Sequence, residues 1–94
     1  MACKRVFLSG KVQGVSFRFH AQLQAEKLGL KGWIRNLDDG RVEMLLEGAA
    51  NNLETIIAWA RKGPPGANVA DVKITEVADN LPDEPFFIRR DGGK

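Results

Sequence analysis

Two residues, Arg18 and Asn36, carry side chains suited to chemistry in settings that could aim them. Arg18 closes the stretch Val12-Gln13-Gly14-Val15-Ser16-Phe17-Arg18, where an alternating run gives way to helix-forming residues. A strand turning into a helix gathers unpaired N–H groups and the partial positive charge of a helix N-terminus around one point. Gly14 can take a positive φ, so successive amides can converge on that point. A guanidinium just inside the helix can fold back and hold phosphate oxygens in a bidentate grip. The stretch therefore reads as a seat for an anion. The plainer alternative is a glycine that only turns the chain and an arginine that is only solvated. No Gly-Lys-Ser/Thr follows, so this is not a nucleotide P-loop, and the glycine spacing of a dinucleotide fingerprint is missing.

Asn36 sits near the end of a second strand-like run, before Asp38-Asp39-Gly40. Its amide both donates and accepts, so it can fix the orientation of a water molecule. The competing role is to cap the turn. His20, the single histidine, lies about 200° around a helix from Arg18, which favours a surface or packing role over that of a general base. Asp38 and Asp39 read as hairpin chemistry rather than metal ligands. Trp33 and Trp59 read as core, Phe17 as packing beneath the turn, and the Gln13 side chain as a brace for it.

The elements that must position these residues follow from periodicity. From Lys4 to Val12 the chain alternates, with Val6, Leu8, Gly10 and Val12 on one face. Phe17, Ala21, Ala25 and Leu28 form a helical stripe, with Ser16 as N-cap and Gly29 as stop. Two strands, 31–37 and 41–48, join through Asp39-Gly40 as an antiparallel hairpin. Val42, Met44 and Leu46 alternate there with Arg41, Glu43 and Leu45. A second helix opens at Asn51 with a capping box to Glu54, carries the stripe Leu53, Ile56, Ile57, Ala60, and ends at Gly63-Pro64-Pro65. A strand over 69–78, a loop, and a short strand over 86–90 follow. The order is βαββαβ plus a short strand. It predicts an α+β, ferredoxin-like sandwich: an antiparallel sheet with two helices packed on one face and the other face partly open to water.

The chain has 94 residues and a net charge of +2, which points to one domain over 1–94 with an ordered core of about 4–90 and a disordered tail. The charge is too mild and dispersed to argue for nucleic acid, and the strands lack the aromatic pattern of RNA-binding sheets. No apolar run reaches the ~20 residues of a membrane helix, and no secretory signal is evident. Cys3 is the single cysteine, placed in a terminus expected to fray; one thiol suits a reducing, cytoplasmic compartment.

The two chemical stretches together resemble the acylphosphatase family. Gly10-Lys11-Val12-Gln13-Gly14-Val15-Ser16-Phe17-Arg18 matches its first signature, Gly-x-Val-Gln-Gly-Val-x-Phe-Arg, at every defined position. Gly32-Trp33-Ile34-Arg35-Asn36, then Asp39-Gly40-Arg41-Val42-Glu43 and Gly48, match the second. The similarity runs from about Lys4 to Arg90. It implies the ferredoxin-like fold, hydrolysis of the carboxyl–phosphate bond of small acyl phosphates, Arg18 and Asn36 as catalytic residues, and a phosphate cradle built from the backbone amides of Gln13, Gly14, Val15, Ser16, Phe17 and Arg18. It implies no cofactor, no metal and no covalent phosphoenzyme. Leu37 stands where some relatives carry a hydroxyl residue, and Ala21 where a threonine is common; both departures are expected to affect rate more than reaction type. A monomer acting on a small molecule, without nucleic acid or membrane, is the expected state. The runner-up is a non-catalytic anion-binding module of the same fold.

Overall fold

The computed structural model describes residues 2–78 and 81–90. Seven elements follow in order: β1 (Ala2–Lys11), α1 (Phe17–Leu28), β2 (Lys31–Asn36), β3 (Val42–Gly48), α2 (Ala50–Lys62), β4 (Asn68–Glu76) and β5 (Phe87–Ile88). The sheet order is β4-β1-β3-β2-β5. The first four strands pair antiparallel, as the βαββαβ pattern requires, while β5 joins the free edge of β2 in parallel, Trp33 opposite Phe87 and Ile34 opposite Ile88. The sheet is therefore mixed by one two-residue strand. The expected tail, 91–94, lies outside the described residues.

Alternation decides which side chains meet the helices. Val6 and Leu8 of β1, Ile34 of β2, and Val42, Met44 and Leu46 of β3 are fully buried on one face. They pack against Phe17, Ala21 and Ala25 of α1 and Leu53, Ile56, Ile57 and Ala60 of α2, the two stripes read from the sequence. Burying one such Leu or Ile side chain is worth about 1.5–3 kcal/mol, so this layer holds the helices to the sheet. α1 ends where Gly29 adopts the left-handed conformation and its N–H reaches the Ala25 and Glu26 carbonyls.

The opposite face departs from expectation at its centre. Glu43 is 3% exposed, and Leu45 and Cys3 are buried as well. A buried carboxylate must be paired. Glu43 is held by Arg5 from β1 and by Arg35 Nε from β2 at 2.8 Å. Trp33 is on this face too, not in the core, because Gly32 and Ile34 take the inward positions of β2. The guanidiniums of Arg35 and Arg89 both lie over its ring, 5.3 and 4.2 Å from the centroid. Trp59, by contrast, packs against the core.

Three local expectations change. β1 starts at Ala2 rather than Lys4, and Cys3 does not fray: the strand lies between β3 and β4, and the Cys3 carbonyl accepts the Val77 N–H at 3.0 Å. α2 begins one residue early, with extended Ala49 as its N-cap and no side-chain cap bond, so the Asn51–Glu54 box does not form. Ser16 does precede α1, but in the left-handed conformation (φ 61°, ψ 28°) and without a side-chain cap bond.

Candidate active site

The segment between β1 and α1 is wound by two residues of positive φ, Gly14 at 76° and Ser16 at 61°. Left-handed positions alternating with ordinary ones turn neighbouring amides inward, the geometry of an anion-binding nest. Among the described residues, no amide from Gln13 to Phe17 donates to a backbone carbonyl. The first turn of α1 contains no acidic residue that would compete for an anion there.

Several contacts fix this loop. Beneath it, the buried Phe17 ring packs on Trp59 of α2 with centroids 5.3 Å apart. Val15 packs against the core. The Gln13 side chain donates from Nε2 to the carbonyls of Leu37, at 2.8 Å, and Arg41, at 3.0 Å. Those two carbonyls stand at the base of the β2–β3 hairpin, so Gln13 ties the loop to the segment that carries Asn36, the bracing role read from the sequence. The hairpin is itself locked by the Leu37 N–H donating to Arg41 O at 2.8 Å. At its tip, Asp39 accepts from the Arg41 amide at 3.1 Å and from Arg41 Nε at 2.9 Å. The Arg41 backbone hydrogen bond is the main reason that the exposed Asp39 carboxyl is held below its ordinary pKa. The acids before Gly40 thus serve the turn.

Above the loop is an open cleft of about 470 Å³. Gly14, Ser16 and Phe17 line it from the loop, Arg18 from the first turn of α1, and Asn36 from the end of β2. Asn36 shares a register pair with Val42, whose side chain faces the helices, and this brings the amide under the N-terminus of α1. Among the described residues the Asn36 side chain makes no hydrogen bond, and no buried side-chain nitrogen or oxygen lacks a partner, so its amide faces the open cleft. Arg18 and Asn36, 18 positions apart in the sequence, meet at one opening. His20 does not line it: its ring Nδ1 and its own amide both lie within hydrogen-bond reach of the Ser16 carbonyl, at 2.8 and 3.1 Å. Two cleft residues were not singled out in the sequence, Phe19 and Ile88. The signal for Phe19 was present, as an aromatic off the buried stripe of α1; Ile88 reaches the cleft only because β5 docks on β2.

A family model for acylphosphatases matches residues 4–88, nearly the whole chain. The chain belongs to the acylphosphatase family. An acylphosphatase from Methylococcus capsulatus is 44% identical over 86 residues, spanning 92% of this chain and 94% of the relative. The crystal structure of acylphosphatase from Bacillus subtilis superposes with a TM-score of 0.90 at 39% identity, covering 95% of this chain and 99% of that one. The fold is also similar to part of a full-length HypF crystal structure in the phosphate- and nucleotide-bound form, with a TM-score of 0.87 at 25% identity over 98% of this chain but 12% of that one. The relatives matched along nearly their full length establish an enzyme that hydrolyses acyl phosphates, rather than a binding module alone. Among the described residues no three His, Cys, Asp or Glu side chains gather to hold a metal ion, and no helix is long and apolar enough to cross a membrane.

Proposed function

We propose that the amides of Gln13, Gly14, Val15, Ser16, Phe17 and Arg18, together with the Arg18 guanidinium, bind the phosphoryl group of a small acyl phosphate, and that Asn36 holds the attacking water in line. The observation that carries this reading is the shared opening of the loop, Arg18 and Asn36, with the Asn36 amide uncommitted. Phosphoryl transfer passes through a loose transition state whose charge is spread over three equatorial oxygens, so catalysis rests on positioning and charge stabilisation. Preorganised amides and a guanidinium supply the second without rearranging during the reaction. The water oxygen bonds to phosphorus, and the bond from phosphorus to the acyl oxygen breaks with its electron pair leaving on the carboxylate. That carboxylate is stable at neutral pH, so no acid must protonate it. The water proton passes to phosphate or solvent. The bracing of the loop against the hairpin by Gln13 keeps the two halves of the site in register. A cytoplasmic monomer is the state this reading assigns to the enzyme; a single cysteine in no disulfide is in keeping with a reducing compartment.

Release of inorganic phosphate from benzoyl phosphate, compared with release from a simple alkyl phosphate, tests the reading. The acyl phosphate is expected to turn over rapidly and the alkyl ester barely, because an alkoxide leaving group needs an acid this site does not offer. Comparable turnover of the two would sink the mechanism.

A further inference from the structure

His20 does not line the cleft, yet it holds the loop that does. The Ser16 carbonyl lies within hydrogen-bond reach of two nitrogens of this one residue, the backbone amide at 3.1 Å and ring Nδ1 at 2.8 Å. A carbonyl oxygen can only accept, so Nδ1 must carry a proton to make the second bond. The Phe19 ring stands edge-on to the imidazole, with centroids 5.5 Å apart and planes at 81°, and steadies it. Ser16 is a residue that needs holding. Glycines aside, it alone among the described residues has a positive φ, a conformation that costs energy in any residue with a Cβ. Released, it would relax toward the extended conformation of an ordinary serine N-cap, whose hydroxyl accepts from the second or third helical amide, here Arg18 or Phe19. The peptide between Ser16 and Phe17 is trans, so its N–H points opposite to its carbonyl. With that carbonyl turned down the helix to His20, the Phe17 N–H points out of the helix start toward the loop.

We propose that His20 is a positioning residue: its Nδ1–H clamps the Ser16 carbonyl, keeps Ser16 left-handed, and thereby aims the Phe17 N–H at the phosphoryl group. The proposal rests on the phosphoryl-binding reading above, since it takes the Phe17 and Arg18 amides to be donors to the substrate. His20 transfers no proton and touches no reacting atom. It tips the balance between two uses of the same helix start, an anion seat and a capped end. A carbonyl that accepts two hydrogen bonds is also polarised, which strengthens the N–H donor across the same peptide. The bond from the His20 amide would form with any residue at this position of the helix; the ring bond is what histidine adds. Asparagine can replace it, because its side-chain N–H occupies the place of Nδ1. Phenylalanine keeps a ring beside Phe19 but has no donor. The three residues have similar helix propensities, so exchanging them leaves helix formation nearly unchanged.

Two measurements test it. In the ¹⁵N spectrum of the wild-type chain, the neutral imidazole of His20 is expected as the Nδ1–H tautomer; the Nε2–H tautomer would overturn the proposal, because a bare Nδ1 cannot bond a carbonyl. The second is the inhibition constant of inorganic phosphate, read beside urea unfolding, in His20→Phe, His20→Asn and Ser16→Gly, and in Ser16→Gly combined with His20→Phe. His20→Phe is expected to weaken phosphate about 3- to 10-fold, the worth of one hydrogen bond, and His20→Asn to recover most of that. Glycine at position 16 is left-handed without strain and has no hydroxyl to compete. Within Ser16→Gly, His20→Phe should therefore change the constant by less than about twofold. Phosphate inhibition that is the same in the wild type and His20→Phe, or a loss as large in the Ser16→Gly background, overturns the clamp and leaves the phosphoryl site standing. A lower urea midpoint with unaltered phosphate inhibition reduces the ring bond to a helix contact and likewise overturns it. A wild-type chain that phosphate does not inhibit overturns the phosphoryl reading beneath it.

Discussion

Neither helix starts with a side-chain cap. Ser16 before α1 and Ala49 before α2 make no such hydrogen bond, and neither first turn contains an acid. By backbone dipole alone the two N-termini are equally ready for an anion, and Arg18 adds a cation to the first turn of α1. They differ in how the chain arrives. α2 is entered from extended backbone at Ala49, φ −67° and ψ 144°, the usual N-cap conformation. α1 is entered through the left-handed Gly14 and Ser16, which wind the preceding amides back toward the same point as the helix end. Across from the start of α1 stands Asn36, at the end of β2 and tethered through Gln13. A helix end becomes a candidate site when the entering loop multiplies its donors and a neighbouring strand closes the opening.

The comparison can be broken most decisively at Arg18. Arg18→Ala removes the one charged side chain that lines the cleft among the described residues and should lower kcat/KM for an acyl phosphate about 10³-fold or more. A loss of tenfold or less would mean that the wound loop alone does the work. Asn36→Ala ranks next. If Asn36 orients water, turnover should fall about 10²-fold, as for loss of one preorganised polar group. The inhibition constant for inorganic phosphate should stay within a factor of about three. Phosphate binding that weakens in step with turnover would move Asn36 from the water to the phosphate.

Much of this arrangement was legible beforehand, and the exceptions share a cause. The period-two runs of β1, β3 and β4, the stripes of α1 and α2, and the glycine turns are local patterns, so each could be read without its neighbours. Glu43 could not: an acid alternating with Val42 and Met44 reads as solvent-facing, and only the placement of Arg5 and Arg35 on the flanking strands makes its burial tolerable. The parallel docking of β5 rests on two residues and a long return of the chain. With it went Ile88, a wall of the cleft. Cys3 looked frayed because chain ends usually are, but here the first strand lies between two others. At Ser16 the residue type pointed to an ordinary N-cap, for serine favours that role in extended conformation. The anion-seat reading and the N-cap reading of this turn were in competition, since a capping hydroxyl would occupy the amides a ligand needs.

That competition supplies the sharpest paired test, at the low end of the effect sizes. An aspartate placed before each helix should act oppositely at the two ends. In Ser16→Asp the carboxylate stands at the mouth of the cleft, tolerates the left-handed conformation better than most residues, and repels the incoming phosphoryl. At about 4 Å and an effective dielectric near 20, that repulsion is on the order of 4 kcal/mol before solvent screening. Apparent affinity for inorganic phosphate should therefore weaken at least tenfold, and less at high salt. In Ala49→Asp the extended backbone is already that of an N-cap, so the carboxylate can accept from the Asn51 or Asn52 amide and complement the helix dipole. The gain should be about 1 kcal/mol in urea unfolding, with kcat/KM unchanged. Equal stabilisation by the two substitutions, with phosphate affinity unaltered in both, would show that the α1 amides are as ordinary as those of α2 and that the winding at Gly14 and Ser16 serves only the turn.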